Sequence, residues 1–342
     1  MNFAFDDEQI ALADSVRRLL DKQADPVTLR ALWGDADGRS PNLWDELAAS
    51  GLPSILVPED DGGAGGDLVD LVLVLEEVGQ HAVPDALVEA LVVGPVALVR
   101  GASAEVRDTW LPAVAAGERR LTAALRGLDS VPDAHVSDGI VAVVGDDLLL
   151  LARDEVDVEP LRSMDPSRRQ SRVTIRPGAD PVRLDADPAL VQALLAYEAV
   201  ASAAVLIGLS RQMLDLTVEY VKVRRQFDRV VGSFQAVKHQ LAHATSLVTM
   251  ARLVVQAAAW TTANEGSDAL DAARSARVCA LDAEFEANRV ALQLHGGIGF
   301  TWEHDLQLWL KLGKSLEQAH GGRNALAGAI GTAAVAGTAV AS

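Results

Sequence analysis

Apolar residues in the first third of the chain recur with a helical period. From Ile10 to Leu20 they step by three and four positions. The segments 68–78 and 84–99 repeat this pattern and are opened or closed by glycine or proline. Such spacing places apolar side chains on one side of a helix. Residues 1–118 are therefore predicted to form an N-terminal helical domain.

Short apolar runs replace the helical pattern in the middle of the chain. Ile140-Val141-Ala142-Val143-Val144 and Leu148-Leu149-Leu150-Leu151 are bounded by glycine and aspartate. Runs of this length with such boundaries predict strands. We assign residues 119–187 to a shortened, β-barrel-like middle domain. This domain carries almost no aromatic side chain, so it offers little that could stack on a flat ligand.

The helical period returns after Pro188 and is kept to the end of the chain. Long amphipathic helices joined by short breaks are typical of an antiparallel bundle. Residues 188–342 are therefore predicted to form a C-terminal four-helix bundle, and the predicted fold class is mostly α with a small β-domain. The first predicted bundle helix follows Pro188 and shows its period most clearly from Leu206 to Val223. The others are predicted at about 234–264, 269–294 and 303–316.

Composition and charge exclude several classes of protein. Apolar residues make up 49% of the 342 positions and the net charge is −18, which disfavours binding of nucleic acid or of an anionic membrane. The single cysteine, Cys279, excludes a disulfide framework, and the histidines lack metal-ligand spacing. The first residues are acidic where a signal peptide is basic, and no strongly apolar run of about eighteen residues is apparent. We expect a cytoplasmic protein with no membrane span and no metal.

Arginine, glutamine and aromatic residues gather where two predicted bundle helices join. Arg224-Arg225-Gln226-Phe227 follows the first helix, and Gln235 stands near the start of the second. The planar fork of an arginine matches phosphate oxygens, and a ring beside it can stack on a heterocycle. The alternative is a solvated basic turn, because cations are favoured at helix C-termini in any case. Both interpretations are open on the residues alone.

Two glycine-rich segments also allow a structural and a functional interpretation. The segment 57–66 lacks a preceding strand and the lysine of a phosphate-binding loop, so a surface connection is favoured. Gly296, Gly297 and Gly299 follow a predicted helix. Glycines at this place usually cap the helix, yet they also let a backbone approach a phosphate closely.

The motifs and their order resemble those of the flavin-dependent acyl-CoA dehydrogenases over nearly the whole chain. Members of that family have an N-terminal helical domain, a middle β-domain and a C-terminal four-helix bundle. The motifs that carry the resemblance are Phe5-Asp6-Asp7-Glu8-Gln9, Leu75-Glu76-Glu77-Val78-Gly79, Met164-Asp165-Pro166-Ser167-Arg168-Arg169, Arg224-Arg225-Gln226-Phe227, Ser233-Phe234-Gln235-Ala236-Val237-Lys238-His239 and Gln293-Leu294-His295-Gly296-Gly297-Ile298-Gly299-Phe300.

The resemblance implies FAD as the cofactor. In the family, one subunit holds the diphosphate and adenosine of an FAD whose flavin ring lies in a neighbouring subunit. Asp228 stands where the family usually has glycine, and its carboxylate would repel a diphosphate unless it is turned away or paired with Arg229. The residues implied are Arg224 and Gln226 at the phosphates, Phe227 beside the adenine, Gln235 at the adenosine, and Gln293, Gly296 and Gly297 at the pyrophosphate.

The resemblance implies α,β-dehydrogenation of an acyl-CoA thioester, in which a glutamate removes the α-proton and the β-hydrogen leaves as hydride to the flavin. The usual catalytic glutamate is absent from Ala319-His320-Gly321-Gly322, where His320 stands in its place. A minority of members place the base on the first bundle helix, at the position of Glu198. A partly buried Glu198 would have a raised pKa suited to proton abstraction. The alternative is a solvent-facing residue of an amphipathic helix.

The flavin-ring half of the site departs from the family pattern. The segment 121–128 lacks the family's ring-binding motif, and no tryptophan lies between Trp110 and Trp260. The chain is similar to the shorter, incomplete subunit of actinobacterial α2β2 acyl-CoA dehydrogenases of steroid side-chain breakdown. That resemblance implies a second acyl-CoA dehydrogenase subunit as partner, an acyl-CoA substrate and electron-transfer flavoprotein as acceptor. Two alternatives are a self-sufficient homo-oligomer with Glu198 as base and a non-catalytic scaffold.

Overall fold

The structure is a computed structural model that describes residues 4–35, 37–185, 187–319 and 321–340. Helices occupy the N-terminal and C-terminal parts and strands the middle part, which confirms the predicted fold class. The N-terminal helices are α1 (Asp7–Gln23), α2 (Pro26–Gly34), α3 (Pro41–Ala49), α4 (Leu68–Gln80), α5 (Gly94–Gly101) and α6 (Ala104–Ala115). A π-helical turn, Glu89–Val93, leads directly into α5.

Local capping fixes where the first helices begin. Asp6 accepts a hydrogen bond from the backbone of Gln9, and the Gln9 side chain accepts one from the backbone of Asp6, which makes a capping box. Asp67 and Asp70 form the same arrangement at the start of α4. The Gln9 amide also donates to Asp70 over 2.8 Å, so the caps of α1 and α4 are joined.

The middle part folds as two small sheets. One sheet has the order β1-β3-β4-β7, with β1 parallel to β3, and the other has the antiparallel order β2-β6-β5. The strands are β1 (Leu121–Ala124), β2 (Val131–Pro132), β3 (Gly139–Val144), β4 (Asp147–Ala152), β5 (Val156–Leu161), β6 (Gln170–Ile175) and β7 (Val182–Arg183).

Burial on both faces explains the unbroken apolar runs of β3 and β4. Ile140 and Leu151 face a small core inside the β-domain, whereas Val141 and Leu150 face the main core shared with the helices. Strands covered on both sides read as continuous apolar runs, because neither face meets water. The β-domain is thereby packed against the helical parts through β3 and β4.

The C-terminal part is built on three long helices and two shorter ones. They are α7 (Pro188–Val223), α8 (Gln235–Ala263), α9 (Ala269–His295), α10 (Leu306–Gln318) and α11 (Arg323–Val340). The long helices α7, α8 and α9 pack on one another, α10 crosses α7 and α9, and α11 runs along α9. Arg323, the first residue of α11, donates to the Asp282 carboxylate of α9.

Two glycines let α4 and α7 approach closely. A Cβ at Gly79 would collide with the carbonyl oxygen of Val205, and a Cβ at Gly208 would collide with that of Glu76. A larger residue at either position would push the helices apart. This contact joins the N-terminal helices to the C-terminal bundle, which holds the parts of the fold in one arrangement.

Helix α7 corrects one expectation from the sequence. It contains an 18-residue window of mean hydropathy 1.9, long and apolar enough to cross a membrane, whereas no such run was expected. However, 78% of that window is buried inside the fold. The window is therefore explained by the core position of α7, which is covered by α4, α8 and α9.

The element type changes between Ala115 and Leu121 and again between Arg183 and Pro188. The domain limits 1–118, 119–187 and 188–342 lie within these short connections and stay predictions. The segment 57–66 is a turn held by its own backbone, in which Gly63 donates to Pro58 and Gly65 to Val57.

Candidate functional site

A two-residue hairpin follows the end of α7. Strand β8 (Arg225–Gln226) pairs with β9 (Arg229–Val230), and the backbone of Val231 donates to the Arg224 carbonyl oxygen over 2.7 Å. Phe227 and Asp228 form the turn with φ of +51° and +61°. Turns of this kind require positive φ at both central residues, which is costly for a residue with a bulky side chain. The hairpin therefore holds Phe227 in an unfavourable backbone conformation.

The hairpin presents its side chains to solvent. Phe227 is 86% exposed, and Arg224 and Gln226 are exposed as well. Core packing therefore does not account for a strained aromatic residue at this place. Strained backbone conformations cluster at ligand sites and switch regions, so this turn is a candidate contact for a ligand or another subunit.

The other predicted cofactor residues lie at the same end of the bundle. Gln235 is the exposed first residue of α8, and Gln293 is exposed on the last turn of α9. The ends of α7 and α9 lie side by side, because the rings of Tyr220 and His295 stack with centroids 4.5 Å apart. We call this surface, formed by residues 224–228, 235 and 293–297, the bundle-end site.

The glycines after α9 end the helix and leave open space beside the backbone. Gly296 has a φ of +65° and ends the helix, which agrees with the capping interpretation. A Cβ at Gly296 or Gly297 would meet no atom within 4 Å, and Gly297 is exposed. The backbone here is open to close approach by a large ligand.

Histidines lie beneath the bundle-end site. His295 packs between Tyr220 and His304, with the two histidine rings 4.6 Å apart, and burial lowers the pKa of His295. Its Nδ1 bonds to the carbonyl oxygen of Ala291. Burial also lowers the pKa of His304, so these surroundings favour the neutral form of both rings.

Asp228 is not paired with Arg229 among the ion pairs of the described residues. The Arg229 guanidinium lies 3.8 Å from the centre of the Phe234 ring, and Arg225 donates to the backbone carbonyl of Asp228 over 2.7 Å. Asp228 has a positive φ, a conformation that glycine adopts without cost.

A second feature is a pocket of about 510 Å³ between the β-domain and the bundle, which is partly open to solvent. The β-domain contributes the segments 123–130 and 161–170, and the bundle contributes Glu198 and the end of α10. The lining is rich in charged and hydroxyl side chains, and no aromatic ring is found among its described residues. We call this space the interior cavity.

Glu198 faces the interior cavity and not the solvent. Its side chain is 4% exposed, and Arg126 donates to its Oε2 over 2.6 Å. The solvent-facing alternative is therefore wrong. His320, the other residue considered for the place of the base, lies outside the described residues.

A second guanidinium approaches Glu198 from inside the bundle. Arg277 of α9 is fully buried and donates to the Ser202 hydroxyl and to the carbonyl oxygens of Leu316 and Ala319. Burial lowers the pKa of Arg277 to about 10, and the Glu198 carboxylate opposes that effect. Arg277 therefore stays charged near neutral pH. Sequence reasoning missed both Arg126 and Arg277.

A further ion pair and a buried carboxyl group lie at the cavity wall. Arg168 donates to Glu89 of the π-helical turn over 2.8 Å, and both side chains are buried. Asp165 accepts two hydrogen bonds from Ser167, while burial raises the pKa of its carboxyl. Among the described residues, no group donates to the Oδ2 atom of Asp165.

Comparison with known proteins identifies the family. The model for the N-terminal domain of acyl-CoA dehydrogenases matches residues 6–118, and the model for the C-terminal domain matches residues 189–334. The chain belongs to the acyl-CoA dehydrogenase family, whose cofactor is FAD. The family acts as oxidoreductases on acyl-CoA.

Individual relatives indicate which type of acyl-CoA dehydrogenase the chain resembles. The chain is 34% identical to the acyl-CoA dehydrogenase IpdE2 of Mycobacterium tuberculosis over 92% of both chains. Among solved structures it is similar to the steroid ACAD Tcur3481-Tcur3483, with 29% identity and a TM-score of 0.89 over 97% of this chain and 99% of the other. The ChsE4-ChsE5 complex of Mycobacterium tuberculosis gives 25% identity and a TM-score of 0.87 over 97% and 98%. These similarities confirm the resemblance to the actinobacterial steroid-degradation type.

Proposed function

We propose that this chain is the accessory subunit of a heteromeric, FAD-dependent acyl-CoA dehydrogenase. It supplies the adenosine-diphosphate side of an FAD site whose flavin-ring side belongs to a second acyl-CoA dehydrogenase subunit, in an α2β2 assembly. The substrates are acyl-CoA thioesters, including CoA esters of steroid side chains, and electron-transfer flavoprotein is the acceptor. The similarity to the ChsE4-ChsE5 complex and to a steroid ACAD supports this assignment.

The exposure of the bundle-end site is the observation that carries the proposal. Arg224, Gln226 and Phe227 stand on a strained hairpin that faces outward, away from the interior cavity. Charge-assisted hydrogen bonds from arginine to phosphate are strong, and the amides of Gln235 and Gln293 add donors for the remaining polar atoms. An outward-facing set of this chemistry fits the diphosphate and adenosine of a cofactor shared with another chain.

The interior cavity supports the assignment of the chemical step to the partner subunit. Bound FAD supplies the hydride acceptor for the reaction. Within this chain, Arg126 donates to the Glu198 Oε2 atom over 2.6 Å, and the Arg277 guanidinium lies near the same carboxylate. That contact must be broken before the carboxylate can reach a proton of a ligand. We therefore assign the chemical step to the partner subunit.

A substitution in this chain alone tests whether this subunit contributes to FAD binding in the complex. Arg224→Met in the complex should weaken FAD binding by about 10- to 100-fold, since a hydrogen bond to a charged group contributes roughly 1.5–3 kcal/mol. Lys222→Met is the matched control, because Lys222 lies on the same helix end and donates to Glu219 over 2.6 Å. FAD content and affinity would be measured by flavin absorbance and fluorescence titration. Equal FAD affinity in the Arg224→Met and Lys222→Met complexes would contradict the proposal.

A second candidate function rests on the burial of Glu198. A carboxylate that is 4% exposed and faces the interior cavity is also where a self-sufficient homo-oligomer would carry its base. In that case Glu198→Gln should abolish acyl-CoA oxidation by the purified lone chain. A lone chain without activity, or a Glu198→Gln variant with full rate, would exclude this candidate.

A further inference from the structure

One ion pair joins the β-domain to the bundle at the wall of the interior cavity. Arg126 lies two residues after the end of β1, and Glu198 lies on α7. Their Nη1 and Oε2 atoms are 2.6 Å apart, and both residues line the cavity. The pair therefore fixes a buried carboxylate at the wall of a ligand-sized space.

The two guanidiniums near Glu198 differ in how firmly they are held. Arg277 is fully buried and donates hydrogen bonds to Ser202, Leu316 and Ala319, which fix the position of its guanidinium. Arg126 has a side chain that is 41% exposed and comes from the other domain. Arg277 is thus a fixed part of the bundle, whereas Arg126 is the partner whose contact with Glu198 can be made or broken.

We propose that Arg126 is a positioning residue that engages the Glu198 carboxylate in an ion pair and thereby keeps it from accepting a proton from a ligand in the interior cavity of this subunit. The inference deepens the proposed function and rests on it, since that function places the chemical step in the partner subunit. Geometry and charge carry it: a short contact from a side chain of another domain, and a second cation behind the same carboxylate.

Chemical labelling of Glu198 in the full-length chain tests this role. A water-soluble carbodiimide with glycine ethyl ester couples to carboxyl groups in their protonated form, and peptide mass spectrometry locates the product. In the wild type, Glu198 should stay unlabelled near neutral pH. Arg126→Gln should raise its labelling about tenfold for each unit by which the pKa rises. Arg126→Lys, which restores the charge, should lower the labelling again.

Arg162→Gln provides the matched control. Arg162 lines the same cavity and is exposed, so its loss removes a cation without breaking the pair. Labelling of Glu198 that is the same in Arg126→Gln and wild type would overturn the inference. So would an equal rise in Arg162→Gln, because it would show a general opening of the cavity.

A second measurement covers the case in which Arg126→Gln fails to fold. In Glu198→Gln, Arg126 should react with phenylglyoxal at least several-fold faster than in the wild type; an unchanged rate would overturn the inference. Neither measurement needs FAD or a partner chain. The labelling experiments therefore test the pairing of Arg126 with Glu198 independently of the proposed function. The proposed function is tested by FAD content and acyl-CoA oxidation.

Discussion

Replacing Arg277 by methionine removes a fully buried guanidinium while keeping an unbranched stem similar to that of the arginine. In the native fold this group donates to the Ser202 hydroxyl of α7 and to the carbonyl oxygens of Leu316 and Ala319 at the end of α10. Arg277→Met would leave those two carbonyl oxygens without the donor and would take one cation from the surroundings of Glu198.

The size of the effect follows from the burial of the cluster. Removing one partner from a buried charged group costs about 3–5 kcal/mol, because the groups left behind lose their hydrogen bonds without regaining water. Methionine keeps part of the apolar contact of the arginine stem, so the upper end of that range is not expected. We expect Arg277→Met to lower the free energy of unfolding by about 3–4 kcal/mol.

Urea unfolding at neutral pH, followed by far-UV circular dichroism, measures this loss. The matched control is Arg274→Met on the same helix. Arg274 is a quarter exposed at its side chain and pairs with the half-exposed Asp271, so its loss should cost less than about 1 kcal/mol. If Arg277→Met were no less stable than Arg274→Met, the account of a buried cationic anchor beneath the interior cavity would be refuted.

Substitutions at three other positions separate cofactor binding from folding. Gly297→Val adds a side chain in open space, so the unfolding midpoint should not change. FAD binding to the complex should weaken at least about tenfold. Unchanged FAD affinity would contradict a close approach of the diphosphate to this backbone. Asp228→Gly removes a carboxylate from a left-handed position and should tighten FAD binding by about 1 kcal/mol at low salt and by less at high salt; weaker binding would contradict the expected repulsion. Burial raises the pKa of the Glu284 carboxyl above its ordinary 4.5, so the fold favours the neutral form of this group. The stability that the neutral carboxyl contributes is present below pH 4.5 and is lost as the pH rises through the raised pKa. Glu284→Gln should therefore gain stability relative to the wild type as the pH rises from 4.5, and a difference in urea midpoint that stays constant with pH would contradict this.

Periodicity was sufficient to predict the order of helical and strand regions along the chain. The helical steps after Pro188 predicted α7, and the runs at 140–144 and 148–151 predicted β3 and β4. The sequence pattern could not show how α4 and α7 meet, because that contact depends on Gly79 and Gly208 facing each other across 129 positions of chain. A single glycine inside a helical pattern does not indicate which other helix it will contact.

The bundle-end site could be predicted because its residues form short motifs at helix ends. Arg224 and Gln293 stand at the ends of α7 and α9, and the bundle topology brings those ends together. The surroundings of Glu198 could not be predicted in this way. Arg126 is 72 positions away from it along the chain and lies in another domain. Arg277 stands in an alanine-rich helical pattern that gave no reason to expect a buried charge.

The flavin content of the purified lone chain tests the central claim most directly. The chain would be expressed alone and together with a second acyl-CoA dehydrogenase subunit encoded beside it, and each purified species would be examined by absorption spectroscopy and acyl-CoA oxidation. We expect the lone chain to lack stoichiometric FAD and activity, and the complex to have both. A lone chain that binds stoichiometric FAD and oxidises acyl-CoA would contradict the assignment of the flavin-ring side to a partner.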